Sequence, residues 1–392
     1  MTLIACTINY KMPFITADIL MSSKEGRDKL ILPTNSFDIN PLFKSKTNLR
    51  PDSFAQKLYI IGKNVCVAVA GSEYELRKFL RELRSRCNLY NNINEKQIRQ
   101  FLEDYNLETQ FVNSAFFLVF VEYHDTDSIY VGMFNYPGRI TRYGDINNGG
   151  WRFMESEVFD KIYSCGSGAD SFLNLVSQAG TFDSQYAKGD PFYAMQSNVV
   201  LNAQFLAIEQ ATLHNLETNW GGGFETAFFN GHEFEKVSDI VYVICHGSFD
   251  ERGNVGLPLP NLFLYYTYIE EILYIVKVEV ERFSVEYKND LIILFASADS
   301  FVCNCFEVKG LEGNENVSTE LKDFSYETHI VAIGYSIPTP DNGVFTPASL
   351  NLHESLKVSY VHGKSIEMVL SEDINKTLNN SFKEVFNHNW AR

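Results

Sequence analysis

Along the first half of the chain, apolar and polar positions alternate in short runs, and the period lengthens where strands give way to helices. Residues 3–9 and 14–21 are rich in β-branched and aromatic side chains, which predicts a hairpin turning through Tyr10, Lys11, Met12 and Pro13. Folding the second strand back on the first returns Asp18 to about the level of Thr2. Residues 22–56 are polar and carry Pro33, Pro41 and Pro51, a long connection for a compact domain, which suggests a lid or an oligomer contact. Residues 57–71 read as two strands about a Gly62-Lys63-Asn64 turn. In the second, Val65, Val67 and Val69 share one face and Cys66, Ala68 and Ala70 the other, so the small-residue face is expected to pack closely on another layer.

After Gly71 the period changes. Leu76, Phe79, Leu80 and Leu83 fall on one helical stripe, and Arg77, Lys78, Arg81 and Arg84 lie opposite it, interleaved with Glu73, Glu75 and Glu82 as a solvated face. A second helix is predicted over 95–105, then strands over 114–123, 128–135, 140–143 and 161–164. Helices over 170–178 and 195–216 follow, the latter so poor in charge that it should be buried, and strands over 223–229 and 234–245 close the series. The order is ββββ, αα, ββββ, αα, ββ; without alternating βαβ units a doubly wound sheet is disfavoured. Beyond residue 247, strand patterns recur over 262–280, 290–296, 328–335 and 356–361, with Asp341-Asn342-Gly343 as a turn signal. The stripe Ile374, Leu378, Phe382 and Phe386 predicts a closing helix. Two domains are expected: 1–246, and a β-rich accessory domain with a C-terminal helix over 247–392.

Composition narrows the partners. The chain has 392 residues, 45% of them hydrophobic, enough for a substantial core. Its net charge of -16 argues against nucleic acid as a partner, since phosphate contacts need a basic surface. No apolar run approaches the roughly 20 residues of a membrane span, and the start lacks a secretory pattern, so no membrane association and a soluble cytoplasmic protein are expected. The seven cysteines are odd in number and scattered, which fits reduced thiols, and Cys303 and Cys305 lack the second pair that a zinc site needs; no metal and no cofactor are expected.

Thr2 and Asp18 are sixteen positions apart, and Lys57, in a Lys-Leu-Tyr context, stands fourteen before Gly71, in a Val-Ala-Gly context. Together with the helix after Gly71, these spacings resemble the proteasome β-subunit family of N-terminal-nucleophile (Ntn) hydrolases and its bacterial relatives, over about residues 2–246. The resemblance implies an α+β fold, a four-layer αββα Ntn-hydrolase sandwich, here followed by the C-terminal β-rich accessory domain. It also implies that Thr2, exposed by removal of Met1, is the nucleophile of a threonine-type peptidase or related amide hydrolase. The α-amino group can serve as base to the hydroxyl, having an ordinary pKa near 8. By the same resemblance Lys57 lowers the proton affinity of Thr2, Asp18 holds Lys57, and the Gly71 N–H donates to the oxyanion. Ser167, within Gly166-Ser167-Gly168, would contact the terminal amine, and Val69 would floor the pocket for the side chain preceding the scissile bond. The implied partners are a peptide or protein substrate, further copies of the chain in a homo-oligomer, and an ATP-dependent unfoldase.

The pattern departs from the family before the penultimate strand. Where the family has an Asp and then Ser-Gly-Gly, the best register places Thr218 and Gly221, with Glu217 or Asn219 as substitutes after a register shift. The alternative is therefore a catalytically inactive proteasome-like subunit that serves assembly, sensing or partner recruitment. Cys245-His246-Gly247 at a strand end invites a cysteine-hydrolase reading, but neighbours on a strand point to opposite faces, which keeps Cys245 and His246 apart.

Overall fold

A computed structural model of the protein describes residues 3–9, 12–26, 29–39, 50–87, 92–125, 128–136, 152–154, 161–178, 191–213, 215–216, 220–246, 259–311, 325–328, 330–338, 344–345, 348–351, 356–374 and 376. The predicted hairpin is present: β1 (Leu3–Asn9) and β2 (Met12–Asp18) pair antiparallel with Ile4 opposite Ala17. The polar segment that follows holds a strand pair, β3 (Leu20–Ser23) with β4 (Arg50–Phe54). Next come β5 (Leu58–Ile61) and β6 (Val65–Gly71), turning at Gly62, whose φ is +63°.

Helix α1 (Glu73–Cys87) buries the predicted stripe Leu76, Phe79, Leu80 and Leu83, and its outer face pairs Arg77 with Glu73 and Arg86 with Asp104. Asn94 caps α2 (Glu95–Asp104) through a reciprocal box with Gln97, which satisfies two otherwise orphaned N–H groups. After α3 (Leu107–Gln110) come β7 (Ser114–Asp125), β8 (Ser128–Tyr136), β9 (Arg152–Met154) and β10 (Lys161–Gly166). The strand predicted over 140–143 lies outside the described residues. Helices α4 (Ala169–Gln178) and α5 (Pro191–Thr212) precede β11 (Phe224–Phe229), β12 (Phe234–Lys236) and β13 (Ile240–His246).

The single apolar run at 262–280 is two strands, β14 (Pro260–Ile269) and β15 (Ile272–Val280). They turn at Glu270 and Glu271, both in the left-handed region with φ of 49° and 67°. Glutamate is a poor signal for that turn, which normally selects Asn or Gly, so the break is hidden in the sequence. The chain continues through β16 (Ser284–Lys288), β17 (Leu291–Ser297), β18 (Phe301–Val308), β19 (Ser325–Thr328) and β20 (Ile330–Pro338). It ends with β21 (Val344–Phe345), β22 (Ala348–Asn351), β23 (Leu356–Val361) and β24 (Ser365–Ser371). A helical start follows at 372–374 and at 376, and the remainder of the predicted closing helix lies outside the described residues.

These strands form five sheets. Six strands run in the order β12-β11-β2-β1-β10-β9, and four in the order β5-β6-β7-β8. Cys66, Ala68 and Ala70 turn their small side chains onto Ile4, Cys6, Ile15 and Ala17, so these two sheets pack face to face as expected. On the far side of the four-stranded sheet, Phe79 of α1 sits among Phe101, Tyr105, Phe111 and Phe116 with ring centroids 4.9–5.6 Å away. A larger sheet runs β18-β15-β14-β13-β20-β21, with β22 also on β20, and packs on a five-stranded sheet, β16-β17-β24-β23-β19. The β3–β4 pair is the fifth. Among the described strand pairs only β13–β20 is parallel.

The fold is therefore β-rich, built of five mostly antiparallel sheets, and the expected four-layer αββα Ntn-hydrolase sandwich is not what forms. Helix α5 is the reason. Val199, Val200, Leu201, Phe205 and Leu206 are all buried, so the described middle of the helix is covered rather than forming a solvent-facing outer layer. One side bonds the six-stranded sheet, where Asn202 Nδ2 donates to Thr226 Oγ1 at 2.8 Å. On the other side β20 lies so close that a Cβ on Gly334 would stand 2.3 Å from the Ala203 carbonyl oxygen. The strand read from sequence over 234–245 as the close of the series is two strands, β12 on the six-stranded sheet and β13, which is hydrogen-bonded to β14 and β20 instead. All seven cysteines are free thiols. Cys245 packs into the core between the two C-terminal sheets, while His246 Nδ1 bonds Ser336 Oγ, so the two side chains do stand apart.

Candidate functional site

Four of the residues singled out in the sequence meet where β1, β2, β5 and β6 come together. Asp18 closes β2 and is fully buried. Its Oδ1 accepts from the Leu3 N–H at 2.9 Å and from Lys57 Nζ at 2.7 Å, and its Oδ2 accepts from the Gly221 N–H at 2.9 Å. Lys57 stands just before β5; its ammonium also donates to the Leu20 carbonyl at 2.6 Å, and its backbone carbonyl accepts from Val69 N at 2.9 Å. Burial lowers the Lys57 pKa below that of an ordinary lysine, against the charge and hydrogen bond of Asp18 and the charge of Glu225, which raise it. A depressed ammonium next to a fixed carboxylate releases its proton more readily than a surface lysine does.

Gly71 ends β6 with φ of +121°, and a Cβ there would stand 2.3 Å from the Asn113 carbonyl oxygen. Only glycine fits both the dihedral and the space. A cavity of about 20 Å³, room for about one water, is lined by Lys57, Val69, Gly71, Met21, Ser22 and Leu76. Asp18, Lys57, Val69 and Gly71 thus share one locality. Thr2 lies outside the described residues; Leu3, which follows it in sequence, is bonded to Asp18 as above.

Ser167 approaches from the other side of β1. Leu3 is opposite Gly166 in the β1–β10 register, which puts Ser167 one position past that level, in the turn before α4. Its hydroxyl is buried and has no hydrogen-bond partner among the described residues. Thr218, Glu217 and Asn219 lie outside the described residues, whereas Gly221 acts through its backbone.

Two buried carboxylates escaped the sequence reading. Glu225 on β11 accepts from the N–H groups of Lys57 and Leu58 at 2.6 and 3.2 Å, from Lys236 Nζ at 2.7 Å and from Tyr268 O–H at 3.1 Å. It thereby anchors the backbone of Lys57 and ties β5 to the β14–β15 hairpin. Glu209 on α5 accepts from Thr34 Oγ1 at 2.5 Å, Asn215 Nδ2 at 2.6 Å and the Gly222 N–H at 2.9 Å. Each left a signal: Glu209 is the single charge in Pro191–Thr212, and Glu225 interrupts an otherwise uncharged strand.

No family model matches the chain, and no curated protein does. Fold and site together define a β-rich protein of stacked sheets with a buried Asp18–Lys57 pair beside a positive-φ glycine. Among the described residues no helix is long and apolar enough to cross a membrane.

Proposed function

We propose that the protein is a threonine-type N-terminal-nucleophile amide hydrolase acting on peptide or protein substrates, with Thr2 as nucleophile once Met1 is removed. The observation that carries this reading is the convergence of the Leu3 N–H and Lys57 Nζ on one oxygen of Asp18. It ties the residue following Thr2 to a buried ammonium of lowered proton affinity.

In the proposed reaction the Thr2 amine takes the hydroxyl proton, Oγ attacks the amide carbonyl, and the leaving amine departs with that proton. Water then enters with the same amine as base and hydrolyses the ester. The Gly71 N–H would stabilise the oxyanion, a contribution of roughly 3 kcal/mol when one such donor is removed. Ser167, with its free hydroxyl, would hold the amine, and Val69 would border the substrate side chain. Assembly into a homo-oligomer and delivery of substrate by an ATP-dependent unfoldase belong to the same proposal.

One observation favours the second reading, an inactive subunit serving assembly, sensing or partner recruitment: the cavity at Lys57 and Gly71, about 20 Å³, holds about one water rather than a peptide side chain. Intact-mass analysis of the N-terminus, followed by turnover of fluorogenic peptides by wild type and Thr2→Ala, separates the two. Retained Met1, or equal turnover by both proteins, rules out the hydrolase.

A further inference from the structure

Glu209 is fully buried, is the only charge on α5, and has no ion-pair partner among the described residues. Burial raises its pKa, against the three donors on it and with a further upward push from the charge of Asp18. A carboxylate placed this way costs stability that an apolar side chain on α5 would not. What it does can be read from its neighbours.

Gly221 and Gly222 are consecutive, and their N–H groups point at two different carboxylates: Gly221 donates to Asp18 Oδ2 and Gly222 to Glu209 Oε2, each at 2.9 Å. Glu209 Oε2 also fills the space beside Gly221, where a Cβ would stand only 2.0 Å from it. Asn215 Nδ2 completes the clamp, bonding both Glu209 Oε2 and the Trp220 carbonyl just before the turn. The Gly221–Gly222 turn is therefore held from behind by Glu209 and presents one N–H forward to Asp18. On its other oxygen Glu209 grips Thr34, whose neighbour Asn35 accepts from buried Lys277 Nζ at 2.6 Å through its carbonyl.

We propose that Glu209 is a positioning residue for the Asp18–Lys57 pair, acting through the Gly221–Gly222 turn and completed by Thr34. Its catalytic consequence rests on the hydrolase reading above; its geometric consequence does not. Without the clamp the turn relaxes, the Gly221 N–H leaves Asp18, and the carboxylate no longer fixes Lys57.

The test reads Lys57 directly. Wild type, Glu209→Ala, Glu209→Gln and Thr34→Val are acylated with a water-soluble amine reagent, labelled lysines are mapped by mass spectrometry, and hydrogen exchange is followed in peptides covering residues 220–224. In Glu209→Ala, Lys57 labelling and exchange at the turn should rise about tenfold, the size of one lost charged hydrogen bond. Lys236, held by Glu225, should change by less than about twofold, since it makes none of these bonds. Glu209→Gln, which keeps the acceptor for Gly222, should return both readouts to near wild type, and Thr34→Val should fall between. Unchanged Lys57 labelling in Glu209→Ala overturns the proposal, as does a parallel rise at Lys57 and Lys236, which would mean general loosening. If Glu209→Ala does not fold, wild-type labelling in Thr34→Val overturns it. Absence of peptide turnover in processed wild type sinks the hydrolase and leaves this test standing, whereas normal labelling in an active enzyme sinks the positioning role alone.

Discussion

Lys57 Nζ lies 2.7 Å from Asp18 Oδ1, with 2% of the lysine side chain and none of the aspartate reachable by solvent. Two charges so placed have surrendered their hydration and depend on each other and on the surrounding donors and acceptors. Lys57→Met should therefore cost about 3–5 kcal/mol, because it leaves Asp18 buried without its cation. Asp18→Asn should be similarly damaging, and the double variant should lose less than the sum of the two. Urea unfolding of the four proteins measures the coupling; additive losses would show that the pair is energetically independent.

Gly71 combines φ of +121° with a backbone oxygen at 2.3 Å from any Cβ, whereas Gly363 has φ of +62° and open space. Gly363→Ala should cost roughly 1 kcal/mol, the strain of a left-handed residue alone. Gly71→Ala should cost more than that by the displacement of Asn113 and Ser114, and thermal unfolding of the two variants isolates the difference. Equal losses would mean that the β6–β7 junction yields freely.

Partial desolvation lowers the His246 pKa from its ordinary 6.5, although the side chain is exposed at the end of β13, and the ring bonds Ser336 through Nδ1. Since the folded value lies below the unfolded one, the stability linked to this group is fully present above pH 6.5 and is lost as pH falls through the folded value. Acidification should then cost wild type more than His246→Gln. Denaturant midpoints compared between pH 7.5 and 5, a window of about two and a half units around the histidine range, decide it; identical slopes would refute the assignment.

Glu209 works in the opposite sense. Its folded pKa is raised, so the stability it contributes is present below the ordinary carboxylate value of 4.5 and is lost as pH rises through the folded one. Glu209→Gln should thus gain on wild type in denaturant midpoint as pH is raised from 4.5. A constant offset across that range would mean that burial does not perturb this carboxylate.

Glu270 and Glu271 hold the β14–β15 turn with two left-handed residues. Replacing them by Asn-Gly keeps the backbone and removes strain, and should stabilise by about 0.4–1 kcal/mol per position. A melting temperature at or below that of wild type would mean that the glutamate side chains contribute something the backbone does not explain.

How much was legible follows from range. The hairpin that brings Asp18 level with Leu3 is local, and alternation together with the Lys11 region sufficed to place it. The opposite faces of β6 and the stripe of α1 were legible for the same reason, since side-chain period depends only on the backbone. The β14–β15 turn was not, because glutamate carries no turn signal, and the β3–β4 pair was hidden in a polar segment whose partners lie 27 to 34 residues apart.

The sequence alone determined where Asp18, Lys57, Val69 and Gly71 stand along their elements, because spacing on strands and short turns is a property of neighbours. Only the tertiary structure decided what surrounds them. That α5 would be covered on both sides, that strand 240–246 would join the larger C-terminal sheet rather than end the first one, and that Glu209 and Glu225 would turn inward all depend on contacts between residues far apart in the chain. A helix with a single charge announces burial but not which surfaces bury it, and that choice turned an expected four-layer sandwich into a β-rich stack.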